Sequence, residues 1–252
     1  MSAKPRMFAL AVCVVWSAAV LSVGDAQASV TACSSVLGHT SVAGPTNAVA
    51  WRAGVEMRTA VFSRPPGSLH PSQWLAPTDA PWLLVLARPR AAHGRCWLQV
   101  RLPWRPNDAA GWVNAGNLAL EKTQWRIVIS TARRTLTLYR AGRAVRTITV
   151  VVGKPSTPTP LGLFGVVWAI RWHPNDFLGS WVLELTAHSD VLRQFDGGDG
   201  TVGIHGRGGA SLLDPLGSAA SHGCIRLAND SIDWLVATVG AARLPGTPVQ
   251  VS

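Results

Sequence analysis

One cysteine of the chain, Cys224, lies in the segment SHGCIRL at residues 221–227, in surroundings too polar and glycine-rich for an ordinary core. A cysteine acts as a nucleophile through its thiolate, and a nearby histidine or positive charge raises the thiolate fraction. The sequence offers two histidines for that role, His205 and His222. The pattern therefore predicts cysteine–histidine nucleophilic chemistry.

The two histidines would reach the thiol by different routes. His222 precedes Cys224 by two residues, so an extended chain would place both side chains on one face, although Gly223 can bend it. His205 is separated from Ser221 by 15 residues and can approach only through tertiary folding, as bases in cysteine–histidine sites generally do. Five glycines nearby would let the backbone approach a substrate or present N–H groups to an oxyanion. They are Gly206, Gly208, Gly209, Gly217 and Gly223.

Two other interpretations of this cluster stay open on the residues alone. Cys224, His222 and His205 could bind zinc together with His188 or His173, but the chain has no CxxC or HxxxH pair, the spacing typical of zinc ligands. The cysteine could also be a buried structural residue beside a core histidine. That second interpretation explains the thiol but not its polar surroundings. We predict no metal site.

Residues 1–28 have the features of a secretory signal peptide. Lys4 and Arg6 precede an apolar run at residues 7–23, and Ala26-Gln27-Ala28 predicts cleavage before Ser29. An uncleaved membrane anchor is an alternative, because the run is only slightly short of a span. A lipid anchor is another, since residues 30–33 resemble a lipobox, although that box does not follow the apolar run directly. All three interpretations predict export.

Removal of the signal would leave three cysteines, Cys33, Cys96 and Cys224. An odd thiol in an oxidising compartment is unusual. Cys33 and Cys96 flank one N-terminal segment and are candidates for a disulfide. The alternative is that Cys33 lies in a frayed tail and both are free.

The chain has 23 basic and 13 acidic residues, a formal charge of +10, which becomes +9 without Lys4, Arg6 and Asp25. A basic exported protein is suited to a polyanionic surface such as a bacterial envelope. Nucleic acid is excluded as the expected partner, because the arginines are scattered and form no groove-reading motif.

The N-terminal half of the mature chain is predicted to consist of short strands. Residues 82–89, 96–103 and 111–120 read as strands, with a turn at 105–108 between the last two. In residues 96–103 the apolar side chains alternate with polar ones, and Trp97 is the one large apolar residue on the polar side. The order of a Trp-x-x-Val strand and a Gly-Trp-Val strand resembles the end of a bacterial Src-homology-3-like domain. This resemblance predicts a tail at 29–42 and a domain of that kind at 43–121. The alternative interpretation is that the tryptophans are only core residues.

The C-terminal half is predicted to be mostly β with one helix. A hairpin turns at residues 141–143, and a proline-rich loop at 154–162 cannot be a central strand. A helix is expected where Ile232, Leu235, Val236 and Val239 follow helical spacing, with Asn229 or Asp230 capping its start and Gly240 following its end. The predicted strands are residues 125–130, 135–140, 144–153, 163–170, 181–187 and 248–252.

The order of these motifs resembles the L,D-transpeptidase family. Its signature is a histidine, a spacer of about this length, and Ser/Thr-His-Gly-Cys followed by an apolar residue and Asn or Arg, here Arg226. The likeness extends over about 130 residues from Trp125, through TPTPLGLFGV, AHSD, FDGGDGTVGIHG, LGSAASHGC and GTPVQV. The two resemblances together imply a mainly β protein. The Src-homology-3-like barrel would be followed, at residues 122–252, by an L,D-transpeptidase-type β-sandwich domain that contains one clear helix.

The resemblance also implies roles for the site residues. Cys224 would be the acylated nucleophile, and His205 the general base, oriented by the backbone carbonyl of Gly206. Arg226 would hold a substrate carboxylate or the local fold. The pocket and oxyanion hole would be shaped by Ser221, His222, Gly223 and the Cys224 amide. His188 is expected to be structural, or else to line the donor groove, and the aspartates between 196 and 233 to be solvated or to cap helices.

The implied activity is peptidoglycan cross-linking outside the cytoplasm. Cys224 would attack the third residue of a tetrapeptide stem, release D-alanine and pass the acyl group to an amine of a neighbouring stem, a 3→3 cross-link. Water as acceptor would make an L,D-carboxypeptidase, and an inert wall-binding protein is a further alternative. Sortases and stem peptidases fit less well: the former have no SHG before the cysteine, and the latter place cysteine before histidine. The family implies no cofactor, acylation by carbapenems, a role in wall biogenesis and cell shape, and a monomer in the periplasm or wall.

Overall fold

A computed structural model describes residues 33–38, 41–65, 70–195 and 197–252. The predicted signal peptide at 1–28 lies outside these residues, as does most of the lipobox-like segment. Within the described ranges, no helix has the length and apolar character needed to cross a membrane. The protein is mainly β, as predicted. Its described buried residues form two hydrophobic cores: one lies within the C-terminal half, and the other is built from the N-terminal half together with Val167 of the C-terminal half.

The N-terminal half contains two three-stranded sheets, with strand orders β4-β1-β8 and β5-β6-β7, and a β2-β3 hairpin. They enclose a core that includes Leu75, Leu98 and Val113. The Src-homology-3-like assignment and the boundaries 43–121 stay predictions. The strands are β1 (Ala50–Val55), β2 (Thr59–Val61), β3 (Gln73–Leu75), β4 (Trp82–Leu84), β5 (Arg90–Ala92), β6 (Arg95–Arg101), β7 (Ala110–Asn114) and β8 (Leu118–Thr123).

Two predictions for this half need correction. Residues 111–120 do not form one strand, because a 3₁₀ turn at Ala115–Asn117 separates β7 from β8, and the Asn114 side chain accepts a hydrogen bond from the N–H of Gly116. The polar side of β6 does not leave Trp97 exposed to solvent. Trp97 is buried and packs edge-on against Phe62, which follows β2, at 5.2 Å between ring centroids.

Cys33 and Cys96 form a disulfide across a sequence separation of 63 residues. Cys33 lies in a helical turn at residues 33–37, and Cys96 is fully buried in β6. The bond ties the segment before the first strand to the N-terminal core.

We expect Cys33→Ser to lower the free energy of unfolding by about 4 kcal/mol, because the cross-link restricts a loop of this length in the unfolded chain. Urea unfolding measures the change. Reductant should lower the free energy of unfolding of the wild-type protein by the same amount and should not change that of Cys33→Ser. Peptide mapping without reductant that found Cys96 open to alkylation would contradict the bond.

The C-terminal half is built on one eight-stranded sheet, with strand order β11-β10-β9-β18-β13-β14-β15-β17, and a small parallel pair, β12-β16. Leu136 at one end of the sheet and Ile204 at the other belong to the same core, so one sheet encloses that core. The strands are β9 (Trp125–Ser130), β10 (Thr135–Arg140), β11 (Arg143–Thr149), β12 (Val152–Gly153), β13 (Gly162–Arg171), β14 (Trp181–His188), β15 (Thr201–His205), β16 (Ala219–Ser221), β17 (Ile225–Arg226) and β18 (Pro248–Val251).

Most local predictions for this half are confirmed. The β10–β11 hairpin turns at Ala141 and Gly142, both with positive φ, and the proline-rich loop at 154–161 contains no strand. The predicted strand at 144–153 is instead broken: β11 ends at Thr149 and a separate short strand follows. Short 3₁₀ turns occur at Gly209–Leu213 and Ala241–Arg243.

The single predicted helix, α1 (Asn229–Val239), buries the four apolar residues at helical spacing against the sheet. Gly240 follows it with φ +90°. The predicted cap is wrong. Ala228 occupies the N-cap position without a side-chain hydrogen bond, because the Asn229 side chain bonds two loops beside the site instead.

Candidate active site

Cys224 immediately precedes β17, which pairs in parallel with β15 through Ile204 and Ile225. This pairing places the thiol beside β15, where the backbone N–H of Gly203 points at Sγ with an N–S distance of 3.5 Å. Cys224 is half-buried and is the free cysteine of the described residues. The sheet edge therefore presents the thiol to a groove while restricting its position.

His205 is two residues beyond Gly203 in β15, so it projects from the same strand face as the position that contacts the thiol. The imidazole is buried, and its Nδ1 lies 2.8 Å from the carbonyl oxygen of Gly206. A carbonyl can only accept, so Nδ1 carries the proton in the neutral ring and Nε2 keeps a free lone pair. The structure thus brings together Cys224, His205 and Gly206, the three residues predicted to be catalytic.

The electrostatic surroundings keep both groups uncharged. Burial lowers the pKa of His205 to about 4, with the Arg226 charge adding to this and the Gly206 carbonyl opposing it. Burial raises the pKa of the Cys224 thiol, against the Gly203 N–H and Arg226, which lower it. At neutral pH the resting pair is therefore a thiol and a neutral imidazole.

The lowered pKa of His205 makes stability depend on pH. Between about pH 6.5 and pH 4 the unfolded chain protonates this histidine and the folded protein does not, so folding stability falls as pH falls. We expect this residue to account for a loss of about 3 kcal/mol over that range. Urea unfolding at a series of pH values, compared between wild type and His205→Gln, measures the difference. Equal pH dependence in both proteins would contradict the buried neutral imidazole.

Ser221 and Gly223 form the turn before the nucleophile rather than a free oxyanion hole. The Ser221 hydroxyl donates to the carbonyl of Cys224 at 2.6 Å and accepts from the N–H of Gly223 at 3.1 Å. Ser221 is fully buried, and Gly223 has φ +129°, a conformation that other residues rarely adopt. Both residues predicted to contact substrate therefore serve to shape the chain around Cys224.

The proline-rich loop supports this turn, a role that sequence reasoning missed. The Thr159 hydroxyl donates to the Gly223 carbonyl at 2.8 Å and accepts from the N–H of Gly153 at 2.9 Å. The first contact is buried and the second is partly buried, so the loop supports the turn from the side away from the groove. The signal in the sequence was a threonine held between two prolines, whose hydroxyl has few alternative partners.

His222 lies on the exposed rim of the site. Its Nε2 is 3.4 Å from Nζ of Lys154, and its ring packs against Phe195 at 5.1 Å between centroids. Partial burial and the nearby charges of Lys154 and Arg226 lower its pKa. The structure therefore assigns the buried position to His205 and a position at the groove mouth to His222.

Arg226 is buried, forms an ion pair with Asp214, and stacks on Phe177 with 4.7 Å from Cζ to the ring centroid. Asp214 is thus not a solvated residue, as expected for that region, but the partner of a buried charge. Of the two predicted roles of Arg226, the ion pair favours support of the local fold. Its side chain also contributes to the wall of the groove.

The groove in front of the thiol has a volume of about 550 Å³. Its walls include Cys224, His205, Phe177, Phe195 and Glu184. The last three were not predicted. Alternation along β14 could have found Glu184, because its neighbours in the strand, Leu183 and Leu185, belong to the core.

Glu184 gives the groove an acidic wall. It pairs with Gly203 across β14 and β15, and burial raises the pKa of its carboxyl, with a further rise from Asp199. Within the described part of the chain the carboxylate has no ion-pair partner. Lys154 brings a positive charge to the rim beside His222.

His188 does not line the groove. It is buried at the end of β14, with Nε2 3.1 Å from a carboxylate oxygen of Asp199, and burial lowers its pKa. His173 is also absent from the groove wall. Among the residues that the structure describes, no group of three or more histidine, cysteine or acidic side chains is arranged to hold a metal.

Gly206 is required by the protein rather than by a substrate. The Asn229 Oδ1 accepts from the N–H groups of Ser180 and Arg207 at 3.2 and 2.9 Å, which joins two loops beside the site. A Cβ on Gly206 would lie 2.2 Å from that oxygen. Gly208 likewise approaches neighbouring backbone, so the expectation that these two glycines make room for substrate is corrected.

Comparison with known proteins identifies the class of this fold and site. Residues 124–251 match the L,D-transpeptidase catalytic domain model, YkuD, and the chain belongs to this family. A Bacillus licheniformis protein named "Putative L,D-transpeptidase YkuD" is 31% identical over 166 residues, which are 63% of this chain and 91% of that protein.

Two further similarities cover less of the related proteins. A Bacillus subtilis protein of the same name is 30% identical over 115 residues, 46% of this chain and 60% of that protein. A crystal structure of an Enterococcus faecium L,D-transpeptidase mutant is 22% identical, with a TM-score of 0.37. It covers 51% of this chain, and the chain spans about half (49%) of its length.

Proposed function

We propose that this protein is an exported peptidoglycan L,D-transpeptidase in which Cys224 is the nucleophile and His205 the general base. The observation that carries the proposal is the free thiol beside the Gly203 N–H, in one groove with a neutral histidine whose Nδ1 is held by a carbonyl. Membership of the L,D-transpeptidase family gives the reaction class. The donor would be the tetrapeptide stem.

The first half-reaction would start from the neutral pair. As Sγ of Cys224 attacks the carbonyl of the third stem residue, Nε2 of His205 takes the thiol proton, so that no free thiolate has to form beforehand. The tetrahedral oxyanion would be stabilised by the Cys224 N–H. The carbon–nitrogen bond to the terminal residue then breaks, the proton on His205 passes to the leaving amine, and D-alanine departs from a thioester.

The second half-reaction would reverse these steps with a new amine. The side-chain amine of a neighbouring stem attacks the thioester, His205 accepts its proton, and the carbon–sulfur bond breaks to return the thiol and leave a 3→3 cross-link. The exchange needs no ATP, because the energy of one amide bond is kept in the thioester. Water in place of the amine would give an L,D-carboxypeptidase.

The charges around the groove are compatible with such substrates. Stem peptides carry both ammonium and carboxylate groups, and the groove is lined by Glu184 and Arg226, with Lys154 beside His222 at its rim. The formal charge of +10 would favour the polyanionic envelope. We further propose secretion through residues 1–28, a Src-homology-3-like module at 43–121, and a monomeric enzyme in the periplasm or wall.

The test is to incubate the mature protein with purified tetrapeptide muropeptides, with and without an amine acceptor, and to identify products by mass. We expect D-alanine release in both cases and a cross-linked product with the acceptor. Tripeptide alone in both cases would assign a carboxypeptidase. Intact sacculi binding without product, and without a carbapenem adduct on Cys224, would assign the inert wall-binding alternative.

A further inference from the structure

The turn at residues 105–108 belongs to the N-terminal half, but its side chains extend into the C-terminal half. The Arg105 guanidinium donates to three backbone carbonyls there. One terminal nitrogen bonds Ser189 at 2.9 Å, and the other bonds Leu192 at 3.2 Å and Asp199 at 2.9 Å. A single planar group thus joins both ends of the segment between β14 and β15.

Asn107 holds the start of the same segment. Its side-chain amide donates to the carbonyl of His188 at 2.8 Å, and its oxygen accepts from the N–H of His188 at 2.6 Å. The amide nitrogen also bonds a carboxylate oxygen of Asp190 at 2.8 Å. Asn107 therefore pairs with the last residue of β14 on both backbone groups, as a neighbouring strand would.

The segment held in this way, between β14 and β15, contributes Phe195 to the wall of the catalytic groove. Phe195 lines the groove and packs on His222, yet 45% of its surface is exposed, so its packing does not fix the segment. The register between β14 and β15 also shifts between Glu184 and His188, so the regular ladder is interrupted beside it. The backbone ladder closes the base of the segment, where the N–H of Ser189 bonds the carbonyl of Gly200 at 2.8 Å. The contacts from the turn at 105–108 add anchors further along it, at Leu192 and Asp199.

Close packing at Gly200 also indicates that this segment is restrained. A Cβ there would lie 2.0 Å from the Leu192 carbonyl oxygen and 3.0 Å from a terminal nitrogen of Arg105. The residue has φ +80°. Gly200, the Leu192 carbonyl and the Arg105 guanidinium are thus closely packed, which requires a defined arrangement of all three.

We propose that Arg105 and Asn107 are positioning residues that anchor the segment between β14 and β15, so that the N-terminal half helps to position the groove wall at Phe195. Arginine suits this task, because its rigid fork can serve several carbonyls at once, whereas lysine offers a point charge on a flexible stem. The effect on catalysis rests on the proposed function, while the restraint on the segment does not.

The restraint can be measured in the full chain by limited trypsin digestion, because Arg193 is an exposed cleavage site within the segment. We expect Arg105→Ala and Asn107→Ala each to speed cleavage after Arg193 by about tenfold, with Arg105→Lys close to Arg105→Ala. Arg90→Ala is the matched control, since Arg90 is an exposed arginine of the same half that stacks on Trp112. Peptide masses identify the cut. Cleavage unchanged from the control, or raised equally along the whole chain, would overturn the proposal.

Kinetics with the tetrapeptide give the second readout. The same variants should raise KM by about tenfold with kcat changed less than about threefold, because the nucleophile and base are untouched while the wall that binds substrate is loosened. An active wild type with variants identical to Arg90→Ala would overturn the positioning role. A wild type without activity would instead refute the proposed function, and the trypsin result would still decide whether the segment is restrained.

Discussion

Replacing Cys224 by alanine is expected to reduce release of D-alanine from tetrapeptide stems by about 10⁴-fold or more, because the acyl group then has no atom to which it can be transferred. The other two cysteines of the described chain form a disulfide and cannot substitute for it. The measurement is the rate of D-alanine release by the purified mature protein.

Two controls make this result specific. The circular dichroism spectrum of Cys224→Ala should match the wild type, because the thiol is only half-buried and its removal leaves the sheet intact. Cys33→Ser should keep activity under conditions where it is folded, since Cys33 does not line the groove. D-alanine release by Cys224→Ala at the wild-type rate would refute the assignment of the nucleophile.

Replacing His205 by alanine is the second large effect, an expected fall in kcat/KM of about 10²- to 10⁴-fold. Burial raises the pKa of Cys224, so without a base the thiol stays protonated and reacts slowly. The rate of carbapenem acylation of Cys224, followed by intact-protein mass, measures this step separately from the acceptor.

His222→Ala is the matched comparison, because the sequence offered both histidines as the base. His222 is at the exposed rim beside Lys154, so its loss should cost less than about tenfold. If His222→Ala were inactive and His205→Ala reacted near the wild-type rate, His222 rather than His205 would be the general base.

The sequence predicted the C-terminal strands and α1 well because their signals are local. The spacing of Ile232, Leu235, Val236 and Val239 depends only on helix geometry, and all four are buried. The predicted cap at Asn229 is wrong because of a tertiary contact: the Asn229 side chain bonds two loops from elsewhere in the chain. The burial of Trp97 has a similar cause, because alternation within β6 does not reveal that Phe62 packs against it.

In the site, the sequence predicted the pairing of Cys224 with His205 from residue type, spacing and family resemblance. It did not predict Glu184, Thr159 or the Asp214 partner of Arg226, since each acquires its role from residues distant in the chain. The same holds for the contacts of Arg105, whose partners lie 84 to 94 residues away. Such contacts follow from how the two halves pack, which no short motif specifies.

The central claim is that Cys224 carries the acyl group. Its most direct test is rapid quenching of the mature protein with a tetrapeptide stem whose side-chain amine is blocked, so that no amine acceptor is present, followed by intact mass and peptide mapping. We predict a mass increase equal to the tripeptide acyl group, located on Cys224 and accompanied by one equivalent of released D-alanine. D-alanine release with an acyl group on another residue, or with no acylation of Cys224 detected at any quench time, would contradict the account.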